Sequence, residues 1–174
     1  MPQSDITKAF KDVLTSLYPK YCAADLDNVQ LRAMDALTQS ILKDNPDDIA
    51  INAWRGDYYC LHQQYGEALP HLEKAYLKGQ RDNHTLYNYA QSLFHEEAYD
   101  CALFLIEPLV EKYSKDFHLK FMEAYAHFRV GNTDQADHCF AQCIPYLADL
   151  QHSYGDQIQD MLADKYSRGP DLTP

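Results

Sequence analysis

Residues 49–82 read IAINAWRGDYYCLHQQYGEALPHLEKAYLKGQRD, residues 83–116 NHTLYNYAQSLFHEEAYDCALFLIEPLVEKYSKD, and residues 117–150 FHLKFMEAYAHFRVGNTDQADHCFAQCIPYLADL. Laid over one another without gaps, the three segments repeat at a period of 34. Ala68, Ala102 and Ala136 share one position, and Gly56, Ala90 and Ala124 lie twelve residues before them. Leu72, Ile106 and Phe140 follow four residues after the alanines, and Ala75, Leu109 and Cys143 three residues later still. Tyr65 and Tyr99 precede the first two alanines by three residues, with Thr133 in the third unit. Small residues on two consecutive helices let their backbones approach closely, and the larger residue one turn on fills the space beside the crossing. Such a hairpin cannot bury its apolar face alone, so successive hairpins stack and share a core.

This pattern of small residue, later alanine, large apolar residue and second small residue resembles the tetratricopeptide repeat. The resemblance covers residues 49–150. It departs at the opening aromatic position, here Asn52, Leu86 and Lys120, and at the closing proline, here Gln80, Ser114 and Leu150. It implies an all-α fold: an α-solenoid of three tetratricopeptide helix pairs (49–82, 83–116, 117–150) in a single domain, with N-terminal helices over 4–48 and a capping helix over 151–166.

The flanks read as helices from their own patterning. Ile6, Phe10, Val13, Leu14 and Leu17 share a face of a helix over 4–18 that stops at Pro19. Leu31, Met34, Leu37, Ile41 and Leu42 mark a second helix over 28–44, ended by Asn45-Pro46, so that 15–48 reads as a degenerate repeat. Tyr154, Ile158, Leu162 and Tyr166 pattern the capping helix. Pro70 falls in the first turn of its helix, where a missing N–H costs little. Pro108 and Pro145 fall deeper and are expected to kink theirs.

Composition narrows the function classes. A net charge of −11 over 174 residues argues against nucleic acid, which requires a basic face, and against an anionic membrane surface. Five cysteines without a CxxC pair read as reduced thiols. With no basic-then-apolar leader and no apolar run of bilayer length, the expected location is the cytoplasm. No phosphate loop, nucleophile elbow or HExxH appears, so neither an enzyme nor a cofactor is expected. His138, Cys139 and Cys143 place an i, i+4 pair on one helix, but Cys143 sits in a small-residue core slot, so no metal site is expected.

The expected partner is another polypeptide. In the tetratricopeptide architecture the first helix of each pair lines a concave face. The resemblance puts Trp54, Asp57 and Leu61 there from the first repeat, and Tyr87, Asn88, Gln91, Phe94 and His95 from the second. Phe121, Met122, Tyr125, Phe128 and Arg129 come from the third. An open face this rich in rings marks an interaction site, with Asn88 as the clamp on a bound peptide backbone. The carboxylate clamp that some family members use for chaperone C-termini is absent, since its places hold Ala53, Asp57, Asn88, His118 and Met122. Size, acidity and layout resemble the small type III secretion chaperones. That implies a client segment held in the groove and a homodimer through helix 4–18. The alternative is a scaffold or assembly adaptor that joins folded proteins.

Overall fold

The computed structural model describes residues 28–168, together with Lys8 and Asp12. The expected helix over 4–18, its dimerisation role and the first part of the degenerate repeat therefore lie outside the described residues. Among the described residues all regular structure is helical. The chain divides into two compact units, one ending at Arg81 and the other beginning at Asp82.

The first unit contains α1 (Asn28–Asp44), α2 (Ile49–Leu61) and α3 (Tyr65–Leu77). The second contains α4 (Asn83–His95), α5 (Tyr99–Lys112), α6 (Phe117–Arg129) and α7 (Thr133–Cys143). A 3₁₀ turn over Ile144–Tyr146 then leads into α8 (Leu147–Arg168). The helices α2, α4 and α6 begin at residues 49, 83 and 117, and α3, α5 and α7 at 65, 99 and 133. Both series keep the 34-residue step of the sequence. Helices adjacent in sequence pack as pairs, α2 on α3, α4 on α5 and α6 on α7.

Three local devices recur with the same step. Asp48, Asp82 and Asp116 are N-caps. Asp48 accepts from the Ile51 N–H, Asp82 from His84 and Thr85, and Asp116 from His118 and Leu119, which satisfies donors that the first helical turn leaves open. Within each pair, the turn uses a residue in left-handed backbone, Gln63 (φ 57°), Glu97 (φ 61°) and Gly131 (φ 83°). The next residue's N–H then reaches back five residues, Gln64 to Tyr59, Ala98 to Leu93 and Asn132 to His127, closing the first helix of each pair. Only Gly131 takes this conformation without steric cost.

The crossing residues are where the repeat demands small side chains. Ala68, Ala90, Ala102 and Ala124 are fully buried and Ala136 nearly so. At Gly56 an added Cβ would stand 2.4 Å from Leu72 Cγ. Leu72, Ile106 and Phe140 are buried beside these contacts, and Ala75, Leu109 and Cys143 behind them.

The prolines depart in part from expectation. The helix α5 is continuous through Pro108, which lies on its exposed side. Pro145 does not kink a helix: α7 has already ended at Cys143, and Pro145 sits within the 3₁₀ turn. A 3₁₀ turn closes with i→i+3 bonds and tolerates a proline early in its course. The C-terminal helix accordingly starts at Leu147, not at residue 151.

A buried arginine ties α1 to α2. Arg55 Nη1 donates to Asp35 Oδ1 (2.7 Å) and Thr38 Oγ1 (3.0 Å), and Nη2 donates to the Tyr59 hydroxyl. Arg55 also lies over the Tyr59 ring, which stacks with His71 at 5.7 Å and meets Tyr58 edge-on at 5.6 Å. Asn52, buried at the opening position of the first repeat, donates to the carbonyls of Pro46 and Asp48, and its Oδ1 lies 2.8 Å from His71 Nδ1. Buried polar groups thus find partners. Burial, with Arg55 and Lys74 nearby, pushes His71 down to about 4 from 6.5. The neutral ring therefore donates its Nδ1–H to Asn52.

Two outcomes follow from this packing. Ala102→Leu places three extra heavy atoms at a fully buried crossing, with an expected loss of about 1–3 kcal/mol or more in urea-monitored unfolding. For His71 the fold favours the neutral ring, so its contribution is complete above about pH 6.5. It declines as pH falls toward about 4. The urea midpoint of wild type should therefore fall more between pH 7 and pH 5 than that of His71→Gln.

Candidate functional site

The second unit gathers most of the residues singled out in the sequence around one face of α4 and α6. Phe121 and Met122 are fully buried, and Phe94 and Tyr125 are 2% and 3% exposed. Expected to be open to solvent, these four side chains instead form the inside of the unit. Part of the cover comes from Phe140 of α7, which lies against Phe121, and part from α8, which packs on α6 and lowers Tyr154 into the ring cluster. The Tyr154 ring centroid is 4.8 Å from that of Phe121, 5.8 Å from His118 and 6.1 Å from Phe94. Phe94 further meets Tyr125 edge-on at 5.8 Å and Tyr99 at 5.7 Å. Such pairs add about 0.5–1.5 kcal/mol each beyond their burial.

The other expected residues divide by unit. Asn88 is buried, with its Nδ2 3.3 Å from His84 Nε2, so the amide expected to clamp a peptide backbone is engaged within its own helix. Tyr87, Gln91, His95 and Phe128 are half-buried, and Arg129 is exposed. In the first unit, Trp54 and Asp57 are buried, Trp54 stacking on Tyr58 at 5.9 Å, while Leu61 stays half in solvent.

On this face of the second unit lies a cleft of about 210 Å³ beside the ring cluster. Phe94, Tyr99 and Tyr125 form its wall, with Glu97, Arg129, Asp156 and Asp160 among its polar groups. Arg129 organises these groups from the last residue of α6. Its Nη1 donates to the hydroxyls of Tyr99 (3.0 Å) and Tyr125 (3.1 Å), and its Nη2 to Glu97 (3.2 Å). The guanidinium carbon lies 4.7 Å from the Tyr99 ring centroid. Tyr125 in turn donates to Asp160 Oδ2 at 3.1 Å, which joins α6 to α8. Burial raises the phenols of Tyr99 and Tyr125 and lowers His95. All three are therefore neutral near pH 7, and the fixed charges of the cleft are one guanidinium against three carboxylates.

Tyr99, Glu97, Tyr154 and Asp160 did not stand out in the sequence as site residues. Tyr99 is visible as a repeat position, and Asp156 and Asp160 are spaced by one helical turn beside Tyr154 and Ile158. That they converge depends on where α8 lands, which no local pattern specifies.

The thiol region is chemically quiet. Burial, reinforced by Glu123, pushes Cys139 up to about 12, and burial pushes Cys143 up to about 11. Thiolate ligation or attack near neutral pH is thereby disfavoured. Among the described residues no group of three His, Cys, Asp or Glu side chains could hold a metal ion, and no helix is long and apolar enough to cross a membrane. No family model matches the chain, and no curated protein matches it either.

Because Phe121 is sealed, Phe121→Ala should cost about 3–5 kcal/mol and lower the thermal midpoint, where an open-groove anchor would leave stability unchanged. Differential scanning calorimetry separates the two.

Proposed function

We propose that this chain is a polypeptide-binding helical repeat protein, similar in plan to tetratricopeptide modules, with no catalytic role of its own. The observation that carries this reading is the α4–α6 face. It presents clustered rings to a neighbouring segment, α8, and holds that segment by apolar burial together with the Tyr125–Asp160 hydrogen bond. A face able to hold one polypeptide segment in this way has the chemistry to hold another: ring surface for bulk affinity, and a few polar groups in the cleft for orientation. The cytoplasm is the setting that best suits it, because nothing in the chain calls for disulfides.

An open trough for an extended client, as in secretion chaperones, receives less support, since Phe94, Phe121, Met122 and Tyr125 are not solvent-facing. The adaptor reading draws on a separate observation. Phe104 on α5 is 70% exposed, and Cys101 and Pro108 are exposed on the same helix at neighbouring turns. Adaptors meet folded partners through such outer surfaces.

Photo-crosslinking separates the two readings. With benzoyl-phenylalanine placed singly at Gln91, Gln157 and Phe104 of the full chain in its host, the expected result is one discrete partner captured from Gln91 and Gln157. Capture from Phe104 alone would transfer the function to the outer surface of α5. Absence of capture at all three positions would remove the polypeptide-binding reading.

A further inference from the structure

The helix α8 is two helices joined at a break. Tyr154 has φ −136° and ψ 28°, outside helical values, and Gly155 follows it. The stretch before the break is pinned. Tyr146 of the preceding 3₁₀ turn stacks on Phe117 at the start of α6 (5.1 Å, 8° between planes), and Leu150 is fully buried. The stretch after it, residues 155–168, is narrowly amphipathic. Ile158 and Met161 are buried, whereas Asp156, Gln159, Asp160, Ala163, Lys165 and Ser167 are exposed. Counted from Tyr154, the buried positions fall at i, i+4 and i+7, the spacing with which a helix anchors in a groove. Asp160, one residue before Met161, accepts from Tyr125.

We infer that the α4–α6 face is a docking surface for an amphipathic helix of a partner protein, and that residues 155–168 are a built-in occupant which that helix displaces by rotation about Tyr154–Gly155. The inference rests on the polypeptide-binding reading above and specifies its ligand. The partner segment is helical because the segment seated there is helical. Tyr154 stays seated at the hinge, and the partner helix supplies a branched aliphatic and, three residues later, a long apolar residue in place of Ile158 and Met161. An acidic side chain one residue before the second of these meets the Tyr125 hydroxyl, as Asp160 does.

Displacement is favoured by three features. The backbone is already non-helical at the hinge, so opening there disrupts little regular hydrogen bonding. Among the described side chains beyond the hinge, release must free a short apolar stripe, Ile158 and Met161, and break the Tyr125–Asp160 hydrogen bond. The cleft of about 210 Å³ beside Phe94 and Tyr125 keeps the edge of the docking face accessible while the segment is in place. A partner helix shifts the chain toward the open form only in so far as it binds the face better than residues 155–168 do.

The probe is a fluorescein-labelled synthetic peptide with the sequence of residues 147–168, titrated by anisotropy against two full-length proteins. One is wild type. The other is Ile158→Asp combined with Met161→Asp, which loosens the resident segment and leaves α4 and α6 intact. The expected result is binding to the variant at least about tenfold tighter than to wild type, and no binding by a peptide carrying the same two aspartates. Equal or absent binding to a variant that keeps its helicity by circular dichroism overturns the inference. Should the variant unfold, hydrogen exchange of wild type decides: amides of 155–168 must exchange at least about tenfold faster than those of α6, and equal protection makes the segment a fixed part of the core. A partner crosslinked at Gln91 that leaves 155–168 protected would sink this inference alone. Peptide binding without any crosslinked partner would sink the functional reading and with it the external partner, leaving only a displaceable 155–168.

Discussion

Close backbone approach at the helix crossings is the constraint on which the described structure depends. Where α2 meets α3 there is no room for even one carbon on Gly56, because Leu72 fills that space. The corresponding places in the second unit hold Ala90 and Ala124 with no exposed surface. Interiors packed to crystal-like density leave such positions no tolerance for size. Everything on the outer faces, from the aspartate caps to the arginine of the cleft, is placed by helices whose separation these small residues set.

The same constraint explains which parts of the fold could be read directly. Steric demand at a crossing acts on residue identity position by position, so it leaves a periodic record in the alanines at 68, 102 and 136. The helix over 28–44 was equally legible from its apolar spacing and its Asn45-Pro46 stop, and α1 occupies those residues. The caps at Asp48, Asp82 and Asp116 carry the same 34-residue record and could have fixed the helix starts to the residue. Pro145 misled because a proline in an apolar run is ambiguous: the same ring can bend a helix or follow its end.

The site was legible as a set of residues but not as an environment. Phe94, Phe121 and Tyr125 do cluster in space as the period required. Their exposure, however, depends on α8, which runs on beyond the last repeat and whose landing place is a matter of long-range packing. An aromatic side chain suits a protein core and a binding face equally well, so its identity cannot tell which it serves. Tyr154 supplies the missing fact, since its ring closes over the cluster from outside the periodic region.

Arg55 sets a lower limit on how the first unit can be divided. The guanidinium is almost fully buried, and the groups that neutralise and bond it, Asp35 and Thr38, belong to α1. A fragment beginning at Ile49 would contain every residue of the first 34-residue segment and still be chemically incomplete. It would carry a desolvated cation stripped of its counter-charge, a defect that typically costs about 3–5 kcal/mol. The sequence period and the smallest self-sufficient piece of this protein are therefore different lengths, and α1 is the difference.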